Sequence, residues 1–199
     1  YTNIDEDALY TSLYDRVDYL SKFINFSEDD MDCLAELSTL LLPMIPQLVD
    51  NVYYHFFKFD VTKKVFLPRA GGGMEGRTMG SLHELTLDAP QIEIRKKTFS
   101  MYLRKLVTCD FSQLSAWEYF DNVGLMHTGE PGLKHRKVMG RGGLRVDLMH
   151  LSITLAWTLD MLTPIILTNE EWPILHRVSI LRALQKVLWI QNDLFARHY

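Results

Sequence analysis

The sequence has few cysteines and no large excess of charge of either sign. Its 199 residues include two cysteines, Cys33 and Cys109, too few for the disulfide framework of a small secreted domain. The formal net charge is −4, and the lysine and arginine residues are scattered along the chain, so the sequence predicts no strongly basic face for a phosphate backbone. We therefore expect a reducing, cytoplasmic environment and no nucleic-acid partner.

A long uninterrupted apolar run is also missing. The longest one, Leu151 to Leu167, contains Asp160 and Pro164 and is shorter than the roughly 20 residues that a bilayer span needs. No basic and apolar leader opens the sequence, which starts at Tyr1. We interpret the run as a buried core helix and expect neither secretion nor a membrane partner.

Alternation of apolar and polar residues, the pattern of half-buried strands, is not found either. Apolar residues recur at spacings of three and four instead, which predicts an almost entirely α-helical protein. Hydrophobic residues make up 47% of the chain, enough for one sizeable core, so we expect a single domain over 1–199. The predicted helices cover 8–23, a segment from 27 that bends at the prolines at 43 and 46, 47–59, 90–107, 110–126, 144–166 and 169–195.

Two glycine-rich stretches, 67–87 and 133–143, are predicted to be loops. Neither resembles a phosphate-binding loop, because no Lys-Ser or Lys-Thr follows the glycines and no strand precedes them. His83 and Glu84 do not form a zinc-protease motif, because Leu87 stands where the second histidine is required. A hydrolase is disfavoured as well, since the sequence has no glycine-flanked serine elbow.

The tripeptide Asn25-Phe26-Ser27 matches a glycosylation acceptor. Ser27 is also followed by an acidic residue three positions on, Asp30, which is the pattern of a helix capping box. We favour the cap, because short acceptor matches arise often by chance.

His127 is the strongest candidate for binding chemistry. It follows the predicted helix 110–126, with Val123 and Phe120 one and two turns earlier on the same face and Gly124 allowing another group to approach closely. An imidazole that projects from an apolar wall suits an axial haem ligand when its other ring nitrogen is hydrogen-bonded. A histidine on an apolar face is more often a core or surface residue, so spacing alone leaves both interpretations open.

Two stretches make the sequence similar to the protoglobins and to the globin domains of globin-coupled sensors. Residues 27–66 resemble that family's segment from the cap before the A helix through the B helix, and Asp121 to His127 resembles its Ile-Gly-x-x-His signature. Residues 185–189 add a weaker match. The resemblance covers nearly the whole chain and implies an all-α, globin-like helical sandwich with an extra N-terminal (pre-A) helix and no clear D helix.

The resemblance also implies a haem site. His127 matches the proximal ligand of haem b, iron protoporphyrin IX, and it is the one metal ligand that the resemblance implies. Tyr53 matches a distal tyrosine that can hydrogen-bond a diatomic gas. Without the family match, Tyr53 would be interpreted as a core tyrosine whose hydroxyl finds a backbone partner. Phe99 matches an aromatic residue over the distal haem face, although Tyr102 or Leu103 could be the closer neighbour.

Three further side chains are predicted to line the pocket. Val123 precedes His127 by one turn, and Ile153, with Thr154 as its alternative, matches the distal wall of the family's G helix. Val52 stands where the family member most closely compared has tryptophan, which implies a roomier pocket.

The function implied by the resemblance is reversible binding of O2, CO or NO at haem iron, by a sensor, carrier or scavenger with no catalytic residues of its own. Two rival classes stay open: a haem enzyme acting on NO, peroxide or related oxidants, and a cofactor-free helical interaction module. The resemblance further implies a homodimer formed through the C-terminal helices. No second domain follows Tyr199, which fits either a free-standing protoglobin or the sensor half of a longer protein.

Overall fold

The computed structural model describes residues 1–67, 80–129 and 144–199, and most of these residues lie in helices. The helices are α1 Glu6–Thr11, α2 Leu13–Ile24, α3 Glu28–Leu41, α4 Ile45–Phe56, α5 Asp60–Lys63, α6 Pro90–Thr108, α7 Leu114–His127, α8 Leu148–Leu167 and α9 Ile174–Ala196, with 3-10 turns at Leu42–Met44 and Lys64–Phe66. The all-α prediction is confirmed. The predicted loop at 133–143 lies outside the described residues, as does 68–79 of the loop predicted at 67–87.

The cap predicted at Ser27 is present at the start of α3. The Ser27 backbone N–H donates a hydrogen bond to Asp30 Oδ2 at 2.9 Å, which is one half of a capping box. The predicted bend at the prolines is also present, because α3 ends at Leu41 and α4 begins at Ile45 with Pro46 in its first turn, where a missing N–H costs nothing.

The helix predicted over 8–23 is wrong in one respect, because two helices occupy this segment. Ser12 interrupts it with an extended backbone, and its side chain accepts a hydrogen bond from Asp15 N–H and caps α2. In the same way, α7 begins at Leu114 instead of residue 110, because the Asp110 carboxylate accepts a hydrogen bond from Ser112 N–H in a local turn. Short polar side chains therefore decided both boundaries.

The last two helices also begin later than predicted. Helix α8 starts at Leu148, since the residues before it are extended and Arg145 forms an isolated antiparallel bridge with Thr128. Helix α9 starts at Ile174, directly after Pro173, which lacks the N–H that a helix interior needs.

Helix α9 lies at the centre of the packing. It contacts α8, α3, α7 and α2, while α6 packs against both α3 and α4. Its buried residues recur at helical spacing and form one broad face: Ile180, Ala183, Leu184, Val187, Leu188, Ile190, Gln191, Leu194 and Phe195. This is the arrangement expected of a globin-like sandwich in which one long helix is covered by helices on several sides.

Helix α8 is not the fully buried core helix that its composition predicted. Its buried residues form one stripe, Leu155, Thr158, Leu162 and Ile166, whereas Met149 and Ile153 are 67% and 62% exposed. The apolar run therefore covers two faces, one packed on α9 and one left open. By length and composition, Leu148–Leu167 and the segment Glu28–Phe56 could each cross a membrane, a test that core helices also pass.

Candidate haem site

Tyr53 lies in a buried aromatic cluster where α4 packs against α6. Its ring centroid is 5.8 Å from that of Phe56, 5.6 Å from that of Phe66 and 6.4 Å from that of Phe99. Tyr53 is 5% exposed, so its side chain points into the core. The contact with Phe66 was not foreseen, because Phe66 belongs to a short 3-10 turn with no periodicity of its own.

The Tyr53 hydroxyl has no hydrogen-bond partner among the described residues. Buried tyrosines usually have one, since an unpaired polar group costs free energy when it leaves water. Burial raises the pKa of Tyr53 well above its ordinary value, and the nearby positive charge of Arg95 opposes part of that shift. The hydroxyl is therefore protonated at neutral pH and is a hydrogen-bond donor.

Phe99 connects Tyr53 to the deeper core of the helical packing. Its ring is stacked on that of Tyr102, with centroids 5.8 Å apart and planes 10° apart. The Tyr102 hydroxyl donates a hydrogen bond to Gln191 Oε1 of α9 at 2.6 Å, and burial raises the pKa of Tyr102 as well. Leu103, the third candidate on α6, is 1% exposed. Phe99 is thus the α6 ring that contacts Tyr53, and Tyr102 is engaged by α9.

His127 is the last residue of α7, one residue beyond the end of the helix predicted over 110–126. Its Nδ1 lies 2.6 Å from the Val123 carbonyl oxygen one turn earlier. In the tautomer that this contact favours, the Nδ1 proton is donated to the carbonyl, and Nε2 is the nitrogen whose lone pair binds metals. The His127 carbonyl in turn accepts a hydrogen bond from Val146 N–H at 2.8 Å. Both the ring and the backbone of His127 are held in place.

The other predicted wall residues differ in burial. Val52 and Val123 are 1% and 8% exposed, and Val123 also supplies the carbonyl that orients His127. Ile153 lies on the open face of α8, at 62% exposure, and Thr154 beside it donates its hydroxyl to the His150 carbonyl. The contact of each of these residues with a cofactor stays a prediction.

One contact between distant helices was missed by the sequence analysis. The His55 imidazole of α4 is stacked on the Trp157 indole of α8, with centroids 4.2 Å apart and planes 20° apart. Neither residue belongs to a motif, and no local pattern shows which two helices meet. This stack brings α8 to the helix that carries Tyr53.

One known protein family matches nearly the whole chain. The protoglobin family model matches residues 13–199, from α2 to the end of the sequence. The chain belongs to the protoglobin family. Membership indicates a haem-binding globin that binds a gas, and it confirms the resemblance inferred from the motifs around Tyr53 and His127. No curated protein matches the sequence.

The helix order of this protoglobin agrees with the fold that the resemblance implied. Helices α1 and α2 precede the capped α3. Between α4 and α6, the described residues contain only the four-residue α5 and one 3-10 turn, which agrees with the prediction of no clear D helix.

The chemistry of the two key side chains fits a haem. His127 offers an imidazole whose Nδ1 is already bound to a backbone carbonyl, which is the usual arrangement of a metal-ligating histidine. Tyr53, a largely buried residue surrounded by aromatic rings, offers a hydroxyl donor with no partner among the described residues. One basic ligand and one polar group in an apolar lining are what gas binding at haem iron requires.

Proposed function

We propose that this protoglobin binds haem b through His127 Nε2 and holds O2, CO or NO on the opposite face of the porphyrin beside Tyr53. Haem, when bound, supplies the iron to which the gas binds, and the protein controls access and polarity. The observation that carries the proposal is the Tyr53 hydroxyl, which belongs to a largely buried residue among aromatic rings and has no hydrogen-bond partner among the described residues. A gas that accepts its hydrogen bond would be held more tightly by about 1 kcal/mol.

His127 acts as the proximal ligand in this proposal. The hydrogen bond from Nδ1 to the Val123 carbonyl orients the ring and raises the basicity of the other nitrogen. Val123 therefore acts through its backbone, and its side chain belongs to the apolar wall on the same side.

The distal wall is built mainly from α4 and α6. Phe99 lies beside Tyr53, and we place it over the porphyrin, with Tyr102 and Leu103 behind it. Val52 leaves more room than the tryptophan of the related protein to which the sequence was compared. Ile153 of α8 completes the proposed wall, and its present exposure is what an apolar cofactor would cover.

The test is reconstitution with haem followed by absorption spectroscopy. The wild-type chain is expected to take up haem and to show the ferrous and CO-bound spectra of a protein with one histidine ligand. His127→Ala is expected to lose them, whereas His150→Ala, a half-buried helical histidine with no assigned role, is expected to keep them. An unchanged ferrous spectrum in His127→Ala overturns the ligand assignment. Failure of the wild-type chain to take up haem would favour the cofactor-free interaction module.

We further propose that the protein is a cytoplasmic homodimer formed through α8 and α9. Exposed apolar side chains at the start of α9 support the dimer: Ile174 is 58%, Leu175 79% and Val178 41% exposed. Cys33 and Cys109 are both free thiols, which suits a reducing compartment.

A further inference from the structure

The end of α9 packs directly against the helix that carries His127. We call Phe195, Arg197, His198 and Tyr199 the α9-end cluster. A Cβ placed on Gly124 of α7 would lie 2.8 Å from Phe195 Cα and 3.2 Å from His198 Cδ2. Any side chain larger than hydrogen would therefore push the two helices apart. Gly124, three residues before His127, is the point of closest approach in this contact.

A charged contact holds α7 to the same cluster one turn earlier. His198 Nε2 donates a hydrogen bond to Asp121 Oδ1 at 2.9 Å, and Arg197 Nη1 lies 3.4 Å from the same oxygen. The Asp121 and His198 side chains are 18% and 16% exposed, so solvent screens this contact less than it screens a surface ion pair. The orientation of α7 about its own axis is thus tied to the end of α9.

A third contact reaches His127 itself through Val146. The Tyr199 hydroxyl donates a hydrogen bond to the Val146 carbonyl at 2.5 Å, and the Val146 N–H donates to the His127 carbonyl at 2.8 Å. Both polar backbone groups of Val146 are used, one for the α9-end cluster and one for His127. The cluster therefore contacts α7 at Asp121 and Gly124, and reaches its last residue through Val146.

We propose that the α9-end cluster positions His127 as a haem ligand, with Asp121 and Tyr199 as positioning residues that act without touching the cofactor. The last residue of a helix ordinarily frays, and here these contacts remove that freedom. The inference rests on the proposed function, in which His127 is the iron ligand.

The test compares Asp121→Asn and Tyr199→Phe with the wild-type protein reconstituted with ferrous haem. Both variants nearly keep the shape of the side chain: Tyr199→Phe removes the hydrogen bond to the Val146 carbonyl, and Asp121→Asn removes the negative charge that pairs with Arg197. Resonance Raman spectroscopy is expected to show the iron–histidine stretching band shifted and broadened in both, and haem loss is expected to be about 10-fold faster. The matched control is Asp30→Asn, which weakens the ion pair of Asp30 with Lys186 of α9, at 10% and 14% exposure, far from His127 in sequence. The control is expected to show the iron–histidine band at the same position and with the same width as the wild type.

Hydrogen exchange supplies a readout without haem. In the haem-free protein, the Val146 amide is expected to exchange faster in Tyr199→Phe than in the wild type. If Asp121→Asn does not fold, Tyr199→Phe decides, since Tyr199 is 49% exposed and loses only a hydroxyl. If the folded variants show the same iron–histidine band as the wild type, the positioning role is overturned. If the wild type itself shows no such band, the proposed function is overturned instead.

Discussion

Tyr53 and Tyr102 are two buried tyrosines on neighbouring helices, and their hydroxyls differ in what they bind. The Tyr102 hydroxyl donates to Gln191 Oε1 at 2.6 Å, so its polar group is satisfied within the core. The Tyr53 hydroxyl has no hydrogen-bond partner among the described residues. The Tyr102 hydroxyl is therefore satisfied by the core, whereas the Tyr53 hydroxyl is the one that the proposed function assigns to a gas.

Replacing Tyr53 by phenylalanine tests this difference directly. Tyr53→Phe is expected to release oxygen about 5-fold faster than the wild type, because one hydrogen bond of about 1 kcal/mol is lost. Stopped-flow measurement of oxygen dissociation from the ferrous protein gives the rate. Tyr102→Phe is the control and is expected to leave the rate close to that of the wild type. Equal rates in wild type and Tyr53→Phe would leave Tyr53 as a packing residue.

The raised pKa of Tyr102 predicts how stability depends on alkaline pH. The folded protein keeps the Tyr102 proton where the unfolded chain, with a pKa of about 10, has lost it. The stabilisation by the neutral buried form is therefore fully present below about pH 10 and is lost as the pH rises above it.

Urea unfolding at about pH 8 and about pH 11 measures this loss. Tyr102→Phe is expected to be less stable than the wild type at the lower pH, because the hydrogen bond to Gln191 is gone. It is also expected to lose less free energy of unfolding between the two pH values. Identical losses in the two proteins would show that burial does not hold the Tyr102 proton.

At the scale of elements, Lys186 joins the start of α3 to α9. Its Nζ lies 2.8 Å from Asp30 Oδ2 and 2.6 Å from the Asn25 carbonyl, and Asp30 in turn accepts from the Ser27 N–H. The Lys186 and Asp30 side chains are 14% and 10% exposed, so the ion pair is largely shielded from water. A local cap and a long-range ion pair thus share one carboxylate.

Lys186→Ala is expected to lower the free energy of unfolding by about 1–3 kcal/mol, because a largely buried carboxylate loses its cation. Lys22→Ala is the control. It removes an i,i+4 pair with Asp18 whose lysine is 66% exposed, and it is expected to cost less than about 0.5 kcal/mol. Urea unfolding of the haem-free proteins gives both values. Equal losses of unfolding free energy in the two variants would show that the ion pair of Lys186 with Asp30 contributes no more than a surface pair.

At the scale of the whole molecule, the open apolar faces of α8 and α9 bear on assembly. In a symmetric dimer each exposed residue occurs twice at the interface, so one substitution places two charges there. Leu175, at 79% exposure, is the most open of the large apolar residues on α9.

Leu175→Glu is expected to convert the proposed dimer to a monomer while the haem spectrum stays unchanged. Size-exclusion chromatography with light scattering measures the mass of each species. Tyr10→Glu on α1 is the control, since Tyr10 is 75% exposed and lies outside the proposed interface, and this variant is expected to stay dimeric. A wild-type chain with the mass of a monomer at all concentrations would contradict the dimer.

Helical class, the cap at Ser27 and the candidate His127 followed from local properties of the sequence, namely period, caps and spacing, whereas Tyr53 became a candidate only through the family resemblance. The later starts of α7 and α8 and the open face of α8 did not. Local spacing shows which side of a helix is apolar, but not which helix covers it.

The tertiary structure alone decided what each buried polar group meets. Tyr102 is paired with Gln191, 89 residues away, while Tyr53 has no such partner among the described residues. Likewise, the sequence by itself marked Gly124 as a point of close approach, and the fold identified Phe195 and His198 as what approaches it. Such contacts join segments far apart in the chain, so they exist only once the helices have packed.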